Sequence, residues 1–140
     1  MNTVILFILI GILIPFTAAQ DDCGKSCTFS YSDNETTLNI NAVVSITSIN
    51  LTEWQSKPIK KISITGKCSV YANAFKQLNS LETVEFLGDI NQLQKSAFYS
   101  CGNLKTVTFH GNVDSFQQMS FNNCSKLEKI YYNGNSHNKC

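Results

Sequence analysis

Leu81, Leu104 and Leu127 fall 23 residues apart, and Phe75, Phe98 and Phe121 keep the same interval, with matching chemistry on each lap between Ile59 and Asn133. A fixed period of this length is the signature of a solenoid, in which each lap buries its apolar face only by stacking on its neighbours. The laps read IKKISITGKCSVYANAFKQLNS, LETVEFLGDINQLQKSAFYSCGN and LKTVTFHGNVDSFQQMSFNNCSK, followed by a last strand LEKIYYNG. Gly66, Gly88, Gly111 and Gly134 close the strands. Leu-x-x-Val-x-Phe alternates as a strand does, which predicts Leu81, Val84 and Phe86 inward, copied by Leu104, Val107, Phe109 and by Leu127, Ile130, Tyr132. Past the glycine corner, Cys68, Ile90 and Val113 share an inward place, and the returning segment brings in a column of phenylalanines. The first lap is one residue short between Gly66 and Ala74. The gap is assigned to the corner opposite the sheet, because a slip inside a strand would invert its faces. The fold class is therefore a repeat solenoid, mainly β, with irregular or short helical returns.

Around the 59–134 solenoid the chain divides into a 1–19 signal peptide, a 20–58 cap and a 135–140 tail. Val4 to Phe16 is apolar but short for a membrane span. Thr17-Ala18-Ala19 follows as a small-residue cleavage site, so the segment reads as a secretory signal cut after Ala19. The product is expected to be secreted, with no membrane insertion after cleavage. Thr28-Phe29-Ser30-Tyr31 and Thr37-Leu38-Asn39-Ile40-Asn41 alternate around the turn Ser32-Asp33-Asn34-Glu35, which predicts a β-hairpin cap with Trp54 in its plug. Three Asn-x-Ser/Thr tripeptides suit an exported chain. Asn34 and Asn50, in expected loops, are the candidate N-glycosylation sites, whereas Asn123 sits in a repeat turn with little room for a glycan.

Lys+Arg total 11 against Asp+Glu 10, a net charge of +1, so nothing steers the chain to nucleic acid. All six cysteines follow the signal. Cys68, Cys101 and Cys124 take inward places as small hydrophobes, and coils at strand spacing would bring Cys101 and Cys124 within disulfide reach. Outside the periodic core, Cys23 and Cys27 could close a small loop and Cys140 could cross-link chains. Cys-x3-Cys lacks a second ligand pair for zinc and has one residue too many for a redox motif. His110 is an outward rim position, and no phosphate loop, His-Glu-x-x-His or Gly-x-Ser-x-Gly occurs. No cofactor, metal site or catalytic residue is expected, and the chain reads as no enzyme.

A stack of this kind offers one continuous sheet face, so the expectation is binding. The outward positions are Lys61, Ser63, Thr65; Thr83, Glu85, Leu87; Thr106, Thr108, His110; and Lys129, Tyr131, Asn133. Leu87, His110 and Tyr131 are the candidate anchors for a partner. The edge at Leu127 to Asn133 suggests self-association through the C-terminal strand.

The run Ser96-Ala97-Phe98-Tyr99-Ser100-Cys101-Gly102-Asn103-Leu104-Lys105-Thr106-Val107 and its echo Ser120-Phe121-Asn122-Asn123-Cys124-Ser125-Lys126-Leu127-Glu128-Lys129-Ile130 resemble the BspA-like leucine-rich repeats of bacterial and protist surface proteins. Cys23-Gly24 with the strand after it, and Trp54 with Pro58-Ile59-Lys60-Lys61-Ile62, also resemble the cap that precedes such repeats. The resemblance implies a non-enzymatic adhesion module binding a protein or glycan at a cell or host surface. The alternative is a structural, self-associating short repeat protein, or a truncated family member with no partner of its own.

Overall fold

Alternation of apolar with hydroxyl, amide and charged residues produces short strands that recur once or twice per lap. The computed structural model describes residues 23–134 and, before them, two short strands, β1 (Ile8–Leu9) and β2 (Ile12–Leu13), paired antiparallel. Apart from those four residues the expected signal peptide, like the 135–140 tail with Cys140, lies outside the described residues. In chain order there follow β3 (Cys27–Ser32), β4 (Thr37–Ala42), β5 (Ser45–Ile46), a 3-10 turn over Ser48–Asn50 and helix α1 (Leu51–Gln55). Then come β6 (Lys61–Thr65), β7 (Cys68–Val70), β8 (Thr83–Phe86), β9 (Ile90–Leu93), β10 (Thr106–Phe109) and β11 (Lys129–Tyr132).

The chain is a β-solenoid of about four turns. One side is a six-stranded sheet, ordered β3-β4-β6-β8-β10-β11, parallel except for the antiparallel β3–β4 pair. The second side is the parallel sheet β5-β7-β9, prolonged by bridges from Ile90 to Val113 and from Leu93 to Phe116. The return segments make the third side, hydrogen-bonded lap to lap: Phe75 N–H donates to Ala97 O and Phe98 N–H to Ser120 O, both at 2.8 Å. Every side thus satisfies its backbone with the neighbouring lap.

The parallel stack begins one lap earlier than Ile59. Leu38 and Ile40 of β4 lie beside Ile62 and Ile64, and Ile46 lies beside Val70, so the second strand of the hairpin is also the first rung of the solenoid. Trp54 heads the aromatic column in this lap, stacking on Phe75 at 5.2 Å, and the column continues to Phe98 at 4.9 Å and Phe121 at 5.2 Å. A second pair, Phe86 on Phe109, stacks at 4.7 Å. Offset aromatic stacking adds to the burial of these rings, each contributing about 1.5–3 kcal/mol by burial alone.

Two expectations need correction. The missing residue of the first lap is absorbed inside the β7–β9 pair, where the register shifts between Cys68 and Ser69 and Asn91 is the surplus residue. A bulge takes up the extra residue locally, so Val70 and Leu93 still meet face to face. Ile130 and Tyr132 point inward by alternation but are 51% and 52% exposed, because among the described residues no lap follows to cover them. Leu127 is half-buried.

The corner glycines are required by the stacking itself. A Cβ on Gly111 would stand 2.6 Å from Gly88 O, and one on Gly134 would stand 2.7 Å from Gly111 O, so the glycines form a column too tight for any side chain. The returns place left-handed residues at two repeating positions, Asn73, Ser96 and Met119, then Gln77, Ser100 and Asn123.

Candidate functional site

All twelve outward residues lie on the exposed face of the six-stranded sheet, in rows set by the parallel register. Lys61, Thr83, Thr106 and Lys129 form one row; Ser63, Glu85, Thr108 and Tyr131 form the next. Thr65, Leu87, His110 and Asn133 form the third, at the ends of their strands. Leu87 N–H donates to Ile64 O, His110 N–H to Phe86 O and Asn133 N–H to Phe109 O, which carries the ladder one residue further. Leu87 and His110 are adjacent on this row, and Tyr131 is diagonal to His110. Leu87 and Tyr131 are each 46% exposed, which leaves apolar surface free for contact.

The face is almost uncharged at its centre. Lys61 Nζ bonds Glu85 Oε2 at 2.7 Å, joining neighbouring strands and neutralising both groups. Just before the strands, the hydrogen bond from Lys105 to Glu82, 2.8 Å long, holds the Glu82 carboxyl below its ordinary range. What remains is mainly hydroxyls and amides, with Leu87, His110, Tyr131 and the exposed Lys129 toward the last strands.

The cap extends this surface. In register with Lys61, Ser63 and Thr65 lie Thr37, Asn39 and Asn41 of β4, and beyond them Ser32, Ser30 and Thr28 of β3. Between these strands the face sinks into a depression of about 210 Å3, whose polar lining is Thr28, Ser30, Asn39, Asn41, Ser63 and Thr65. Its floor is Phe29 and Ile40, and each polar side chain around it can both donate and accept. Thr65 Oγ1 donates to Asn41 Oδ1 at 3.3 Å and Asn39 Nδ2 to Ser32 Oγ at 3.1 Å, so the lining is partly pre-oriented. Four of these six residues come from the hairpin and were not among the twelve. The signal was their alternation, and the missing corner glycine disguised their place in the stack.

The five cysteines among the described residues are all buried or half-buried. Cys23 and Cys27 form a disulfide with a Cα separation of 5.3 Å, buried in the cap. Cys68, Cys101 and Cys124 are free. Burial pushes the Cys68 thiol up to about 11. Contact with Cys124, together with burial, raises Cys101 as well, so it stays a protonated thiol bonded to Phe75 O at 3.1 Å. Among the described residues no group of three or more His, Cys, Asp and Glu side chains could hold a metal ion.

The two candidate glycosylation sites differ in access. Asn34 is exposed at the hairpin turn, whereas Asn50 is half-buried, with its Nδ2 enclosed and without a hydrogen-bond partner among the described residues. Asn123, expected to be crowded, is exposed, because its left-handed backbone turns it away from the inward Cys124.

No helix among the described residues is long and apolar enough to cross a membrane. No curated protein and no solved structure matches the chain. The family model of the BspA type leucine rich repeat region, six copies, matches residues 47–139, from the 3-10 turn of the first lap to beyond β11. That family is surface-associated, and its solenoid fold is typically non-enzymatic. With the period, the stacked rungs and the family model in agreement, the chain belongs to the BspA-type leucine-rich repeats.

Proposed function

We propose that this protein is a secreted or cell-surface recognition and adhesion module, not an enzyme, which binds a protein or glycan through the outward face of its six-stranded sheet. The observation that carries the reading is the face itself. Rigid strands at a spacing of about 4.8 Å hold rows of uncharged hydroxyl and amide groups around the depression, with Leu87 and Tyr131, flanking the His110 imidazole, as a more apolar counterpart nearer the last strand. Such a surface suits a neutral, hydrogen-bonding partner, whose polar groups find donors and acceptors in fixed positions and no large field to oppose them. Export rests on the apolar Val4 to Phe16 segment and the Thr17-Ala18-Ala19 site after it.

The test is a binding screen of the purified protein against matrix proteins, glycans and host cells, run beside two triple variants. One replaces Glu85, Thr108 and Tyr131 by Ala, the other Asn39, Asn41 and Ser63. Saturable binding by the parent, lost in one or both variants that keep the parent's circular dichroism, supports the face. Equal binding by all three chains rules it out.

A further inference from the structure

The last strand is unsatisfied in two ways. Its inward residues Ile130 and Tyr132 are 51% and 52% exposed, and Phe116 beside them is 51% exposed. Its backbone is also open along one edge. Lys129 and Asn133 donate their N–H groups to Lys105 and Phe109, so alternate residues face β10, and Ile130 and Tyr132 turn both N–H and C=O outward. Among the described residues nothing meets them. An occupant that satisfies both needs is an extended strand with its own apolar underside.

We propose that this end pairs with the same end of a second copy of the chain, β11 antiparallel to β11, on a two-fold axis through Tyr131. Three features of β11 fit that axis. Ile130 falls opposite the partner copy's Tyr132, and these are the residues with free N–H and C=O groups, so each pair exchanges both hydrogen bonds. Inward side chains meet inward side chains, joining the two exposed apolar ends into one core. Lys129 falls opposite Asn133, so like charges do not face each other. Shifting the axis by half a residue opposes Ile130 to Tyr131 and mixes the faces. Shifting it by a whole residue opposes Glu128 to Tyr132, or Ile130 to Gly134, and loses apolar contact. The opposite end of the stack is no alternative partner, because Phe29 and Tyr31 of β3 already pack beneath it and its disulfide is buried. An isologous contact also closes on itself, giving a dimer and not a fibre. Two six-stranded sheets then become one continuous sheet of twice the width.

Sedimentation of protein purified from cells expressing the full chain, in reductant and over a range of concentration, should show a mass doubling. Ile130→Pro removes a donor that the monomer leaves unpaired, and Tyr132→Lys puts charge on the joined surface. Both residues are exposed in the single chain, so each variant should keep its circular dichroism and lose the dimer. Register is read by cysteine scanning. Across the axis the two Tyr131 Cα atoms would lie about 4.5 Å apart, within disulfide reach, whereas the two Lys129 positions would be separated by roughly 13 Å or more. Tyr131→Cys should therefore cross-link on oxidation and Lys129→Cys should not. A chain that stays monomeric, a dimer unaffected by both edge variants, or equal cross-linking at the two positions would overturn the pairing.

Discussion

The two ends of the stack are built from the same rungs and finished differently. Leu38, Ile62, Val84, Val107 and Ile130 occupy one inward row of the main sheet; the first four are buried, and Ile130 is 51% exposed. At the cap, β3 folds back over the first rung, Phe29 meets the edge of Trp54 at 5.8 Å, and the Cys23–Cys27 disulfide closes the corner. Tyr31 Oη donates to Glu53 Oε1 at 2.6 Å, tying hairpin to helix, and Lys57 lies 5.1 Å over the Tyr31 ring while pairing with Glu35. At the far end Phe116, Met119, Ile130 and Tyr132 are all more than half exposed. The period decides which way a side chain points, but a neighbour on both sides decides whether it is buried. In a nearly one-dimensional fold, stability should therefore grade from the cap to β11.

The aromatic column gives the largest expected contrast. Trp54 is fully buried at one end of it, and Phe121 is half-buried at the other. Trp54→Ala should cost about 3–5 kcal/mol, the range for removing a large buried aromatic, while Phe121→Ala should cost about 2 kcal/mol or less. Denaturant titrations followed by far-ultraviolet circular dichroism give both values. Equal losses would mean that the open end is as well packed as the cap, and the comparison would fail.

The same contrast can be made within one row of the sheet, where register and chemistry are held constant. Ile62→Ala, in the buried centre, should cost about 2–5 kcal/mol, whereas Ile130→Ala should stay within about 0.5 kcal/mol in the monomer. Measuring at low protein concentration keeps any effect of self-association out of the result. A loss at Ile130 close to that at Ile62 would mean that the last rung is covered in solution even in the single chain.

These two pairs also separate what was legible in the sequence from what was not. The rungs, their inward and outward residues and the phenylalanine column follow from the repeated spacing of Phe75, Phe98, Phe121 and their neighbours, because a period imposes the same geometry each time it recurs. The first turn escaped that logic. Its offset to β6 is 24 residues rather than 22 or 23, Ala42 stands where later laps have glycine, and Trp54 replaces phenylalanine. So the sequence marks Asn39 and Asn41 as part of a separate cap, and the depression they line carries no repeat signal. The exposure of Ile130 and Tyr132 was hidden for the opposite reason: alternation carries no information about whether another rung follows. The Asn50 tripeptide reports only local sequence, whereas the enclosure of its Nδ2 comes from the folded first lap.

An intermediate effect is expected from the cap's covalent closure. Replacing Cys23 and Cys27 together by Ser opens a short loop, and chain entropy for a loop of this size puts the loss at roughly 2 kcal/mol. The loss should be accompanied by faster hydrogen exchange in β3 and β4, with β10 and β11 unchanged, because the disulfide lies at the closed end alone. Faster exchange across all rungs would show that the cap is needed to hold the whole stack together.

The smallest effect tests whether the open lap belongs to the same cooperative unit at all. Asn73, Ser96 and Met119 hold the same left-handed backbone position in successive returns, with φ of 60°, 61° and 65°. Asn tolerates that conformation better than an unbranched apolar side chain does, and the Met119 side chain is 58% exposed, so little packing is lost on replacing it. Met119→Asn should therefore stabilise the chain by a few tenths of a kcal/mol, and Asn73→Met should destabilise it by a similar amount. Strain registers in global unfolding only where the strained segment unfolds with the rest. If Asn73→Met has its effect in denaturant titrations and Met119→Asn has none, the last lap opens independently, and the gradient from cap to edge is steep enough to break the stack into two units. If the two substitutions mirror each other, all four turns fold together, and the difference between the ends lies in exposure alone.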